Sequence, residues 1–202
     1  MKVKDLRDFE KEIASIFAEG KIKAPVHLRE GREKKLISIF ETYHIDSNDY
    51  VLGYWDSHEL ALLKGVPRED VKQAILEGKS IALNFPEHKV YCSGIVGSMM
   101  GVAVGLAWAL KRQSKIGHVY HFCGEMSAET GIFHESIKYA YNFGLPVTFI
   151  VCDNGLSVMT DTREVWNDPR PWFKDTKYER NIIYFKYKNK YPHSGLGKMI
   201  KF

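Results

Sequence analysis

The chain has 202 residues, 45% of them apolar and 27% charged, and 29 Lys and Arg against 25 Asp and Glu give a formal charge of +4. That length suits one domain with a real core, and the apolar fraction excludes general disorder. No run of about 20 residues is mostly Leu, Ile, Val or Phe, so no membrane-spanning helix is expected. The amino-terminal MKVKDLRDFEKE has no apolar stretch of the kind a secretory signal needs. Three scattered cysteines, Cys92, Cys123 and Cys152, offer neither a disulfide framework nor a zinc spacing. A cytoplasmic location follows as the default. Five lysines between Lys186 and Lys201 are interleaved with aromatics. A solvated strand face accounts for them, and no nucleic-acid partner is expected.

The first 48 residues read as a helical segment. Leu6, Phe9, Ile13, Ile16 and Phe17 recur at helical spacing until Gly20, and a second run with Leu36, Ile37 and Phe40 opens at Gly31. The turn Gly65-Val66-Pro67 leads into a short helix over 70–76. From Gly94, GIVGSMMGVAVGLAWALKRQ predicts a helix rich in small residues, buried and closely packed against another backbone. HVYHFCG is a short strand ending at Gly124, and AETGIFHESIKYAYNFG is a helix with Phe133, Ile137, Ala140 and Tyr141 on one face and Gly144 at its end. VTFIVCDN is an apolar strand ending in polar residues. Strand, helix and strand with continuous apolar strands make a βαβ unit in a parallel sheet. The polar stretch over 160–180 reads as a loop, and NIIYFKYKNKY as a last strand.

In an open parallel sheet, ligands sit beyond the carboxyl ends of the strands. Two such ends are chemically marked, Cys123-Gly124-Glu125-Met126-Ser127 and Asp153-Asn154-Gly155. A carboxylate and a carboxamide on adjacent strand ends can point oxygens at one hard cation, and Mg²⁺ takes one or two such ligands together with phosphate oxygens. Helix-initial N–H groups after Gly124 suit a phosphate. A helix-start carboxylate and a turn asparagine would account for the same residues without any ligand. A dinucleotide-binding fingerprint is missing, since no G-x-G-x-x-G follows the first strand.

Gly124 and Asn154 stand 30 positions apart, and GEMSAETGIFHESIKYAYNFGLPVTFIVCDN resembles the thiamine diphosphate motif. In order along the chain, KAPVHLREGREKKL, DYVLGYWDSHELALLKGVPREDV, SGIVGSMMGVAVGLAWALK and KYKNKYPHSG are similar to further segments of the alpha subunits of thiamine diphosphate-dependent 2-oxo acid dehydrogenases. The resemblance implies a single diphosphate-binding domain over 1–202, α/β and three-layered, with a mostly parallel sheet, helices on both faces and a short helical segment over 1–48. It implies Glu125, Asn154 and the Leu156 carbonyl as ligands of Mg²⁺ or Ca²⁺, with Gly124, Met126 and Ser127 against the diphosphate. Gly94 and Val96 would offer backbone to the aminopyrimidine, and His27, His58 and His193 match histidines at the mouth of the family's site, where an imidazole can move protons. His118, His121 and His134 are expected to be structural.

Two departures stand out. The family's metal-binding Asp is Glu125, one methylene longer, and its diphosphate-gripping Tyr-Arg aligns with Trp55-Asp56. An aspartate there is expected to repel a phosphate unless another cation, Lys64 or Arg163, substitutes. In the family, the carboxylate that activates the cofactor comes from a separate pyrimidine-binding domain. The resemblance therefore implies a beta-type partner subunit in an α2β2 assembly, with the helix over 97–109 as the close-packing surface. A 2-oxo acid dehydrogenase-like reaction, a split transketolase-like ketol transfer on sugars, and a non-catalytic scaffold that keeps the fold all remain open from sequence.

Overall fold

The amino-terminal amphipathic run forms α1 (Val3–Ala18) in the computed structural model, which describes residues 1–168 and 170–193. Leu6, Phe9, Ile13 and Phe17 are buried along one face, and the chain leaves the helix through Gly20 at φ +73°. The second helix, α2 (Glu33–Thr42), starts two residues later than expected because Gly31 takes φ +125°, outside helical space. The chain divides into two compact units, and the first comprises residues 1–47, 53–94 and 188 onward. It contains α1, α2, the end of β1 (Tyr50–Tyr54), α3 (His58–Leu63), α4 (Arg68–Leu76), and the antiparallel pair β2 (Asn84–Phe85) and β3 (Val90–Ser93). Sequence periodicity gives no signal for α3, because five of its six residues are buried and no polar face marks a helix. Far-apart chain segments close this unit: Lys190 N–H donates to the Glu30 carbonyl at 3.0 Å, and Glu30 N–H to Asn189 Oδ1 at 3.0 Å.

The second unit comprises residues 48–52 and 95–187. Its elements are α5 (Ser98–Arg112), β4 (Val119–Gly124), α6 (Glu125–Ala128), α7 (Gly131–Asn142), β5 (Val147–Asp153), the small pair β6 (Leu156–Ser157) and β7 (Thr160–Asp161), α8 (Thr162–Trp166) and β8 (Ile182–Lys186). Four parallel strands run β1-β4-β5-β8, with Val51 opposite Tyr120, His121 opposite Phe149 and Val151 opposite Tyr184. These strands are apolar along nearly their whole length, as covered parallel strands must be. Helix α7 seats Phe133 against Phe149 at 5.3 Å between ring centroids and buries Ile137 and Ala140 beside it.

Three expectations are corrected here. Helix α5 is not buried all round: Met100, Ala103, Ala107 and Leu110 face inward, while Gly101, Val102, Gly105 and Ala109 are exposed within this chain or nearly so. Its start is tight, since Gly97 sits at φ +80° and a Cβ there would meet Ile132 at 2.7 Å. The stretch over 160–180 is not a plain loop. Asp161 caps α8 by accepting from Arg163 N–H and Glu164 N–H, and Phe173 is fully buried near Phe133. The last strand ends at Lys186 instead of running to Tyr191.

Candidate functional site

In the second unit the parallel register sets Gly124 of β4 beside Cys152 of β5, so Glu125 and Asp153-Asn154 emerge at neighbouring strand ends. Glu125 is buried (4% exposed), and burial pushes its carboxyl above the ordinary range. Its Oε1 accepts from Thr162 Oγ1 at 2.8 Å and its Oε2 from Asn154 N–H at 3.4 Å. No cationic side chain among the described residues pairs with it. Asn154 turns its own Oδ1 onto Leu156 N–H at 2.9 Å, across Gly155 at φ +77°. Asp153 is also buried. Its Oδ1 accepts from Gly155 N–H at 2.8 Å, while its Oδ2 accepts from both Arg163 and the Tyr184 hydroxyl. Burial first, and then the bond to Asp153 and its charge, hold the Tyr184 phenol well above its usual value. Met126 Sδ accepts from Trp166 Nε1 at 3.1 Å, and Ser127 is buried.

These residues fit a hard divalent cation by their chemistry. Glu125 is a buried carboxylate without a counter-ion among the described residues, and a carboxamide oxygen and the Leu156 carbonyl belong to the same short segment. Among the described residues no cluster of three or more His, Cys, Asp or Glu side chains suits a metal. A cation here would therefore draw on amide and carbonyl oxygens and on a ligand's own oxygens, as Mg²⁺ commonly does. Of the predicted cofactor residues, Val96, Gly124, Glu125, Met126, Ser127, Asn154 and Leu156 lie in the second unit and Gly94 in the first. Val96 and Leu156 are exposed. Thr162 is a further residue of this site, one that the resemblance does not mark. Its sequence signal is Asp161-Thr162-Arg163-Glu164, a capping pattern that begins a helix. Of the two candidate cations, Arg163 shares a unit with Glu125, and Lys64 belongs to the first unit and donates to the Asp46 carbonyl.

The first unit holds the three predicted histidines. His27 and His193 lie 4.3 Å apart by ring centroid, with Trp55 6.1 Å from His27 and 6.5 Å from His193. Burial, followed by the neighbouring His193, lowers His27 to about 4, and burial also lowers His193. The Trp55 Nε1 is enclosed and has no hydrogen-bond partner among the described residues. His193 is the last described residue, so the rest of the predicted loop, Ser194 and Gly195, lies outside them.

His58 is placed differently from the sequence expectation. It is 1% exposed, its Nδ1 lies 2.9 Å from Glu10 Oε1 and its Nε2 2.8 Å from Ser80 Oγ. Both ring nitrogens thus have partners, and the ring ties α3 to α1 and to the Ser80 hydroxyl. Asp56 is corrected as well. It is buried between Arg29 Nε and Arg32 Nη2, the latter at 3.1 Å, and Arg32 also donates to the Asp56 carbonyl at 2.6 Å, Glu59 Oε2 at 2.6 Å and Tyr54 Oη at 2.8 Å. A carboxylate neutralised by two guanidinium groups repels no phosphate.

A family model described as dehydrogenase E1 component matches residues 1–171. The alpha subunit of acetoin:2,6-dichlorophenolindophenol oxidoreductase from Cupriavidus necator is 27% identical over 169 residues, which cover 79% of this chain and 50% of that protein. The pyruvate dehydrogenase E1 component subunit alpha of Porphyra purpurea is 28% identical over 166 residues, which cover 73% of this chain and 47% of that protein. A solved structure described as a thiamin diphosphate-dependent enzyme from Mycobacterium smegmatis aligns with a TM-score of 0.43 at 19% identity, over 65% of this chain and 21% of that one. The chain thus spans about half the length of these curated relatives. No helix among the described residues is long and apolar enough to cross a membrane. Matched across more than half its length, the chain belongs to the dehydrogenase E1 component family.

Proposed function

We propose that this chain is the diphosphate-binding, alpha-type part of a thiamine diphosphate-dependent enzyme that cleaves or transfers an acyl unit next to a carbonyl, of the 2-oxo acid dehydrogenase type. The observation that carries the reading is Glu125, a buried carboxylate that pairs with no cation among the described residues, at the end of a parallel strand beside Asn154 on the neighbouring strand end. Glu125, Asn154 and the Leu156 carbonyl would hold Mg²⁺ or Ca²⁺, and the backbone from Gly124 to Ser127 would meet the diphosphate. Gly94 and Val96 are the candidates for the aminopyrimidine.

When bound, thiamine diphosphate supplies the nucleophilic carbon and the electron sink for breaking the bond. The chain's own work is to bind and orient. Glu125 and Asn154 would hold the metal, and His27, whose imidazole burial lowers to about 4 so that it is neutral at pH 7, can accept a proton or present one nitrogen as a hydrogen-bond donor. His193 stands against it for the same task.

A beta-type, pyrimidine-binding partner would supply the carboxylate that activates the cofactor, in an α2β2 assembly. The Gly101, Val102, Gly105 and Ala109 face of α5 is the surface suited to a closely packed helix. The test is a denaturation series with Mg²⁺ and thiamine diphosphate, with and without the beta-type subunit. Ligand at 100 times its Kd stabilises a binder by about 2.7 kcal/mol. A shift that requires both metal and cofactor, with turnover only in the presence of the partner, is expected. No shift at millimolar ligand with the partner bound would leave a scaffold role.

A further inference from the structure

The turn that opens α8 grips both strand ends at once, through two consecutive residues. Thr162 Oγ1 donates to Glu125 Oε1 at 2.8 Å, at the end of β4, and Arg163 donates to Asp153, at the end of β5. The grip is itself fixed in place. Thr162 is fully buried, its N–H donates to the Gly155 carbonyl at 3.1 Å, and Asp161 Oδ1 accepts from Arg163 N–H at 2.7 Å. The antiparallel pair β6 and β7, with Leu156 opposite Asp161, returns the chain to the strand ends so that this turn can reach them.

A glutamate has one more rotatable bond than an aspartate, so its carboxylate needs more restraint to hold a single direction. Thr162 supplies that restraint. Each carboxylate oxygen can accept more than one hydrogen bond, so the bond to Thr162 leaves Glu125 Oε1 with capacity for a cation. We infer that Thr162 is a positioning residue that sets the carboxylate of Glu125 for a divalent cation, with Arg163 on Asp153 anchoring the turn that carries it. This rests on the proposed metal site and adds to it the device by which a longer side chain serves there. Partners that orient a metal ligand typically matter by 10–100-fold in metal affinity.

The test is Mn²⁺ titration of the full chain, read by the electron paramagnetic resonance signal of free Mn²⁺, in the presence of thiamine diphosphate. Four proteins are compared: wild type, Glu125→Gln, Thr162→Val and Thr162→Ser. Val keeps the shape of Thr and removes the donor, whereas Ser keeps the donor. Thr162→Val is expected to weaken Mn²⁺ binding about 10- to 100-fold, with Thr162→Ser close to wild type and Glu125→Gln at least as weak as Val. Circular dichroism melting of each variant monitors folding. Should Thr162→Val not fold, Arg163→Gln takes its place, with a smaller loss of affinity expected. Wild-type binding that Glu125→Gln abolishes but Thr162→Val or its substitute leaves unchanged would overturn the positioning role alone. A wild type that binds no Mn²⁺ would overturn the metal-site reading, and this inference with it.

Discussion

Glu59→Gln isolates one carboxylate in the buried network of the first unit. Glu59 is 1% exposed; its Oε2 accepts from Arg32 Nε at 2.6 Å, and its Oε1 has no partner among the described residues. Burial raises its carboxyl from 4.5 to about 7, against the pull of Arg32. The folded state therefore holds this proton more tightly than the unfolded chain does. The group's contribution is most favourable below pH 4.5, falls as pH rises from there to about 7, and stays lost above it. A shift of that size is worth about 3 kcal/mol. The substituted glutamine keeps an oxygen acceptor for Arg32 but cannot ionise. It does leave an amide N–H₂ where Oε1 lacked a partner, a pH-independent cost of about 1–3 kcal/mol. The variant should thus be the less stable protein at pH 4.5 and gain on wild type by about 3 kcal/mol by pH 8. Urea unfolding at pH 4.5, 6, 7 and 8, followed by far-ultraviolet circular dichroism, measures this directly. Two stability profiles that run parallel across that range would refute the reasoning, because other titrating groups cancel in the difference.

Asp56→Ala leaves Arg29 and Arg32 buried without their shared counter-ion, and should cost about 3–5 kcal/mol in urea unfolding; a loss under about 1 kcal/mol would mean that the guanidinium groups find water. For His27, lowered from 6.5 to about 4, the sign is opposite to that of Glu59: its contribution is complete above pH 6.5 and is lost as pH falls towards 4. Its imidazole C–H resonance should titrate near 4 in a nuclear magnetic resonance series, and a midpoint near 6.5 would show the ring to be open to solvent.

The sheet that carries the candidate site was legible because its signals are local. Apolar runs ending at Gly124 and Asn154, separated by a helix with one apolar face, announce β4, α7 and β5 from neighbouring residues alone. The ion network of the first unit was not legible. Arg32 and Asp56 are 24 positions apart, Glu10 and His58 48 apart, and charged residues are ordinarily exposed. The reversal at Asp56, from an expected phosphate-repelling group to an internal one, is readable only once Arg29 and Arg32 are seen beside it. The outward stripe of α5 failed for another reason. Small residues at four-residue spacing indicate close packing, yet no pattern within one chain states whether the neighbour belongs to that chain.

The two units differ in how their segments are drawn from the chain. Apart from residues 48–52, the second unit is one continuous stretch over 95–187, whereas the first needs residues before 95 and from 188 onward. The hydrogen bond from Glu30 to Asn189 spans 159 positions. The strands β4, β5 and β8 pair across short sequence separations, while the first unit closes only through the segment that carries Asn189. Its rate of closure then carries the entropy of a very long loop. The strand ends that present Glu125 and Asn154 thus rest on contacts closer in sequence than those that close the first unit around Glu30 and Asn189.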